Sequence, residues 1–278
     1  MSGKPALTTP LVGQGPSVSS RPAADTRSVA ARVFAILDAF AAPAGGATSL
    51  ALTLTTIAQR AGLPLSTAHR LTAELVRWGG LTKQDNGQYS LGMKLWELGV
   101  QMPTARNLRT IALPYLEDLY ETTREHVHLA ILDGRDALYL EKLSGHHAVR
   151  LISRVGSRLP LHSTGVGLVL LAYAPTDVVQ DYLSGPLQRF LPRTVTSPDQ
   201  VRKRLVTIRA LGLAHMSEEM TSGSSSTAAP VRDRTGQVVA AVSIVTRTAP
   251  EPNPAHEQAV RMAAQGISRA LGYRRAAT

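Results

Sequence analysis

Five polar side chains carry the first usable chemistry in this chain: Ser66, Thr67, His69, Arg70 and Thr72. Each can hydrogen-bond a phosphate or a base edge, and an arginine matches the paired acceptors on guanine. Such chemistry needs a helix to carry it and a second helix to fix that helix's angle. Residues 54–73 provide both. Ile57, Ala58 and Ala61 form one apolar stripe, and Ala68, Leu71 and Leu75 form another at i, i+3, i+7. Ala58 is small where the two helices must cross. Gly62 stands where the turn calls for positive φ, which costs glycine little. Pro64 prevents continuation of the first helix, and Ser66 is expected to cap the second. The pattern predicts a DNA-binding helix-turn-helix whose second helix exposes the five polar residues.

The flanking segments agree. After Trp78-Gly79-Gly80, residues 81–91 read as two short strands around Asn86-Gly87, a type I′ hairpin signal. A hairpin directly after a recognition helix makes a wing, with Lys83 and Gln84 or Gln88 near the DNA backbone. Upstream, Val29, Val33, Ile36, Leu37 and Phe40 mark an amphipathic helix that covers the other face.

The second candidate chemistry is anion binding at Pro160-Leu-His-Ser-Thr-Gly-Val-Gly167. This loop leads into an apolar helix at 166–174, so the amides near Gly165 and Val166 would face a cavity with the positive end of a helix dipole behind them. His162, Ser163, Thr164 and Ser226 are the side chains expected around it, with Met216 as an apolar wall. The rival reading is an enzyme or metal site. His126 and His128 share one face of a strand, and His146, His147 and His162 lie in the same region. Against it, there is no His-Glu-x-x-His helix, no Gly-x-Ser-x-Gly elbow and no P-loop. Ser222–Thr227 lacks the strand-to-helix setting of a nucleophile. No catalytic residue, metal or cofactor is assigned.

Composition bounds the rest. The chain's 278 residues suffice for two domains. Its net charge of +10 suits a polyanionic partner, but +4 falls in residues 1–100 and +6 in 101–278, so charge supports nucleic-acid binding only weakly. Without cysteine there is no disulfide framework and no thiolate chemistry. No apolar run has the length of a membrane span, so no membrane partner is expected, and the cytoplasm is the expected location. Residues 1–25 are rich in Pro, Ser, Gly and Thr without an apolar core, and read as a disordered tail, not a signal peptide.

Further helices are predicted at 108–124, 176–183, 198–211 and 253–271, and strands at 127–132, 137–143, 149–152, 213–217, 227–231 and 238–245. Strand pairs broken by helices imply an α+β domain with an antiparallel sheet. Residues 92–106 read as a connector helix bearing Met93, Leu95, Trp96, Leu98, Val100 and Met102, apolar surface that points to a partner subunit.

At this level of detail the sequence resembles the IclR-type transcriptional regulators. The resemblance rests on Ser28-Val-Ala-Ala-Arg-Val-Phe-Ala-Ile-Leu-Asp38, on Ile57-Ala58 through Leu71 and on Gly87-Gln-Tyr-Ser-Leu-Gly92. It extends through Leu159-Pro-Leu-His-Ser-Thr-Gly-Val-Gly167 and the run from Ala228 to Ser243. It implies a winged helix-turn-helix domain at 26–91, a connector at 92–106 and a GAF-like effector-binding domain at 107–273. It also implies a double-stranded DNA operator, a homodimer or tetramer, a small organic acid effector and most often repression. Members that bind small acids use the loop matching 216–226; Met216 stands where some have an acidic residue and Ser226 where they have cysteine. That argues against a glyoxylate- or pyruvate-like effector, and Met216 suits a larger aromatic or aliphatic acid. The connection at 41–53 is longer than is usual for the family.

Overall fold

The computed structural model describes residues 27–41, 51–99, 101, 103–144, 151–249 and 253–274. The expected N-terminal tail, most of the long 41–53 connection, Val100, Met102, His146 and His147 lie outside the described residues.

The N-terminal unit is three helices and a hairpin: α1 (Val29–Asp38), α2 (Leu54–Ala61), α3 (Leu65–Trp78), β1 (Leu81–Lys83) and β2 (Tyr89–Leu91). Ser28 caps α1 by accepting from the Ala31 amide at 3.1 Å, and Thr53 caps α2 by accepting from Thr56 at 3.2 Å. Gly62 adopts the left-handed conformation (φ 61°) that ends α2, and Leu63 N–H then reaches back to the Ala58 carbonyl at 2.9 Å. Arg27 fastens this turn, donating to the carbonyls of Ala61 (3.0 Å) and Gly62 (2.7 Å). Ile36, Ile57, Leu71 and Leu81 are completely buried and form the centre of the small core.

Two local expectations are corrected. Pro64, not Ser66, occupies the cap position of α3, and no side chain caps it. The wing turn is not type I′: only Gly87 has positive φ (78°), while type I′ needs it at both central residues. Gln84 N–H pairs with the Gln88 carbonyl at 2.8 Å, which leaves a three-residue loop closed by Gly87. Leu52 adds a bridge to Tyr89, a third strand contact that the sequence reading did not foresee.

The expected single connector helix is also corrected. The chain forms a short helix α4 (Met93–Gly99) and restarts as α5 (Pro103–Thr123), which runs on into the C-terminal domain. None of the residues of α4 is buried.

The C-terminal domain is a six-stranded antiparallel sheet of β3 (His126–Asp133), β4 (Asp136–Leu143), β5 (Arg158–Pro160), β6 (Ala214–Ser217), β7 (Ser224–Arg232) and β8 (Val238–Arg247), in the spatial order β5-β4-β3-β8-β7-β6. The strand expected at 149–152 is absent at residues 151 and 152; β5 takes the edge position instead, and pairs with β4. Alternation along the strands sends side chains to two cores. Val127, Leu129, Val242 and Ile244 meet α5 and α9 (Pro254–Ala270). Ala130, Tyr139, Ala228 and Ala241 meet α6 (Gly165–Tyr173), α7 (Thr176–Ser184) and α8 (Pro198–Leu211). The sheet is thus covered on both faces.

His126 and His128 do share a face, stacked with ring centroids 6.5 Å apart and an interplanar angle of 6°. Both are buried. His128 contacts the Tyr139 ring edge-on and shares a 3.0 Å hydrogen bond with Ser153 Oγ. Among the described residues no group of three or more His, Cys, Asp or Glu is arranged to hold a metal. Burial, then the neighbouring Lys142 and His126, push the His128 pKa down to about 3, so the ring is neutral.

This burial has a consequence for acid stability. An unfolded histidine takes a proton near pH 6.5, well before the folded one, so stability falls with falling pH across the window down to about 3, by at most about 1.4 kcal/mol per pH unit. We expect His128→Gln to flatten that acid limb in urea melts between about pH 6 and 4. An unchanged limb would mean that His128 is not held neutral.

Candidate nucleic-acid interface and ligand cavity

The N-terminal surface follows the helical period of α3. Ser66, His69 and Arg70 are exposed on one side and Thr67 is half-buried beside them. Arg70 makes no ion pair among the described residues, so its five N–H donors are available. Lys83 is exposed on the wing strand β1. Gln88 is tied into the hairpin turn, where its side-chain oxygen accepts from Asn86 Nδ2 at 3.0 Å.

Thr72 does not belong to this surface. It is completely buried, and its hydroxyl has no partner among the described residues. The reason was legible: Ala68, Leu71, Thr72 and Leu75 fall at i, i+3, i+4, i+7, so Thr72 completes the inward stripe. The outward face continues instead through Glu74 and Arg77, which pair with each other.

The C-terminal cavity lies where the start of α6 meets one face of the sheet. Ser163, Thr164, Gly165 and Val166 form one wall, and His128, Tyr139, Ser226 and Ser243 form the sheet side. Met216 supplies an apolar flank, and the segments 151–153 and 218–221 with Leu159, Ser224 and Val245 complete the lining. The space that the centre of a water molecule can reach is about 60 Å³, room for several waters.

What singles out this wall is the backbone. A helix leaves its first amides without intrahelical acceptors. Thr164 Oγ1 satisfies Gly167 N–H at 3.2 Å, and the Thr164 carbonyl takes Leu168 N–H at 2.9 Å. The amides of Gly165 and Val166 have no acceptor among the described residues. The chain can approach closely here because residue 165 is glycine: a Cβ there would come within 2.6 Å of Ser226 Oγ. Among the described residues no Lys or Arg lines the cavity. Its two carboxylates are already engaged, Glu219 by Arg204 at 2.7 Å and Glu218 by Arg193 at 3.4 Å.

His162 is the site residue that the structure moves elsewhere. It is 2 % exposed and lines no part of this cavity. Its Nδ1 is 2.7 Å from the Tyr182 hydroxyl and its Nε2 is 2.9 Å from the Gln188 carbonyl. A carbonyl can only accept, so Nε2 carries the proton and Nδ1 accepts from Tyr182. Burial lowers its pKa. His162 is therefore a satisfied core histidine. Conversely, sequence reasoning missed His128, Tyr139, Ser153 and Ser243 as cavity residues. The inward position of His128 and Ser243 on their strands was available as a signal, but which cavity they faced was not.

Comparison with known proteins agrees with this architecture. Residues 29–85 match the IclR helix-turn-helix domain, and residues 100–269 match the bacterial transcriptional regulator IclR C-terminal domain. The HTH-type transcriptional regulator XynR of Escherichia coli is 35% identical over 227 residues, 80% of this chain and 90% of that protein. KdgR of the same organism is 32% identical over 225 residues, 79% of this chain and 86% of that protein. Among solved structures, an IclR homologue of Microbacterium hydrocarbonoxydans crystallised with 4-hydroxybenzoate is 38% identical with a TM-score of 0.81, covering 88% of this chain and 99% of that one. These relatives are regulators and not enzymes, which sets aside the metal or hydrolytic reading of the histidines and serines. The chain belongs to the IclR family of helix-turn-helix transcriptional regulators, and it binds DNA.

Proposed function

We propose that the protein is a dimeric repressor that releases or holds its operator in response to a small carboxylic acid bound at the start of α6. The observation that carries the ligand reading is the pair of unpartnered amides at Gly165 and Val166, facing a cavity rich in hydroxyls. Two converging N–H donors at a helix N-terminus suit a carboxylate. The Ser226 hydroxyl stands beside these amides, the neutral His128 and the Ser243 hydroxyl then offer donors to the ligand's far end, and Met216 offers an apolar flank. The 4-hydroxybenzoate in the Microbacterium homologue supports a hydroxylated aromatic acid as the first class to test.

In this reading Ser66, Thr67, His69 and Arg70 enter the major groove and Lys83 contacts the backbone. Dimerisation uses α4, which exposes Met93 (68 %), Trp96 (64 %) and Leu98 (54 %), surface that water would not favour. Two-fold symmetry would then match a palindromic operator.

Three outcomes are expected. Arg70→Ala costs about 1–3 kcal/mol on the operator and relaxes selectivity at one base position, while Lys83→Ala weakens all duplexes alike and lowers the salt slope. Equal affinity of the parent for operator and random duplex would defeat the groove assignment. Benzoate-type acids raise the melting temperature of the parent but not of Ser226→Leu, which fills the space before the two amides. If both proteins respond alike, the acid binds elsewhere. Trp96→Asp shifts sedimentation at micromolar concentration from dimer to monomer and weakens operator binding; a parent that is monomeric and still binds tightly would rule out the dimer.

A further inference from the structure

A second concavity opens at the opposite end of the β6–β7 hairpin and shares no lining residue with the acid cavity. Its volume is about 740 Å³, and five arginines line it: Arg209, Arg232, Arg261, Arg269 and Arg274. No Asp or Glu does. Elsewhere in this domain arginines are commonly paired with carboxylates: Arg109 with Glu141, Arg135 with Asp181, Arg158 with Asp133 and Arg204 with Glu219. Among the described residues none of the groove's five has such a partner.

Part of this arrangement has a structural explanation. Arg209 donates to the Ala172 carbonyl at 2.9 Å and Arg261 to the Leu211 carbonyl at 2.8 Å, in the last turns of α6 and α8. Arg232 donates to the Gly236 carbonyl at 2.8 Å and stacks over the Tyr173 ring at 4.7 Å. Each of these contacts uses one hydrogen bond of a guanidinium that has five N–H donors. They hold the three heads in place and leave most of their donors and all of their charge uncompensated. Arg269 and Arg274 add exposed positive charge at the end of α9.

We propose that this groove binds a small molecule bearing two or more phosphate groups. Guanidinium forks match phosphate oxygens in pairs. Each phosphate brings between one and two negative charges, so only a multiply phosphorylated ligand approaches the positive charge gathered here. A duplex backbone fits less well, because Arg232 and Arg261 are half-buried within the recess and do not project from it. The groove also lies towards the DNA-binding end of the domain. Gly266 of α9 meets Tyr115 of α5, whereas His256 of α9 acts on Glu125 just beyond α5, so the two helices are antiparallel. The end of α9 therefore lies nearer the start of α5, the helix that follows the winged domain.

The test is calorimetric titration of the full-length protein at about 0.15 M salt with tripolyphosphate, ATP, AMP, citrate and a random short duplex. Tripolyphosphate and ATP are expected to bind, AMP and citrate much more weakly. Arg232→Gln should weaken ATP by about tenfold. The double variant Arg269→Glu, Arg274→Glu, confined to exposed side chains without structural bonds, should weaken it at least as much while leaving the benzoate-dependent melting shift intact. The proposal is overturned if no phosphate compound binds, if the variants bind ATP like the parent, or if citrate matches tripolyphosphate. It is also overturned, in favour of a DNA contact, if only duplex affinity responds to the double variant.

Discussion

The C-terminal domain depends on one buried helix, α6. Every residue from Gly165 to Ala172 is buried, so the helix is apolar on all sides and is held between the sheet and its neighbours α7 and α8. Burial on all sides means that its first amides cannot be left to bulk water. Thr164 takes one of them by its side chain and another by its carbonyl, and two remain at the cavity wall. The packing demand on the helix is therefore also what leaves two N–H donors at the cavity wall. A fully capped α6 would close the site, and a helix exposed on one side would dissolve it in solvent.

The polar side of the cavity follows from the same economy of donors. Ser226 stands against Gly165, Ser243 and His128 are cross-strand partners on β8 and β3, and Ser153 meets His128 from the loop. Each of these groups is neutral. A ligand carboxylate would meet hydrogen-bond donors and a helix dipole, not a guanidinium, so selectivity would rest on geometry and on the match of hydroxyls at the far end. Five arginines without a carboxylate partner among the described residues gather instead at the other end of the β6–β7 hairpin, where the ends of α6 and α8 offer carbonyls to Arg209 and Arg261.

The winged-helix domain was legible almost residue by residue, because its determinants are local. Gly62 ends α2 where the sequence requires a left-handed residue, and the stripes Ile57-Ala58-Ala61 and Ala68-Leu71-Leu75 form the core they predict. The errors were local as well. Serine favours the cap role that the sequence suggests for Ser66, yet Pro64 occupies it. Thr72 was placed outside by its polarity, although its spacing from Ala68 put it inside; periodicity outweighed residue type.

The sequence by itself determined the helix-turn-helix, most of the helices and strands, and the loop that opens α6, since periodicity, turn residues and caps act within a few positions of one another. Tertiary structure alone decided which polar groups share a cavity. His162 is adjacent to Ser163, yet the turn between them sends its ring to Tyr182 and Gln188, while His128, thirty-five positions before Ser163, faces the same space as Ser163. Sheet pairing also set the edge, where β5 and not the expected 149–152 segment joined β4. Side-chain chemistry is written residue by residue, but convergence depends on strand order and helix docking, and those are settled only when distant segments bury their faces against one another.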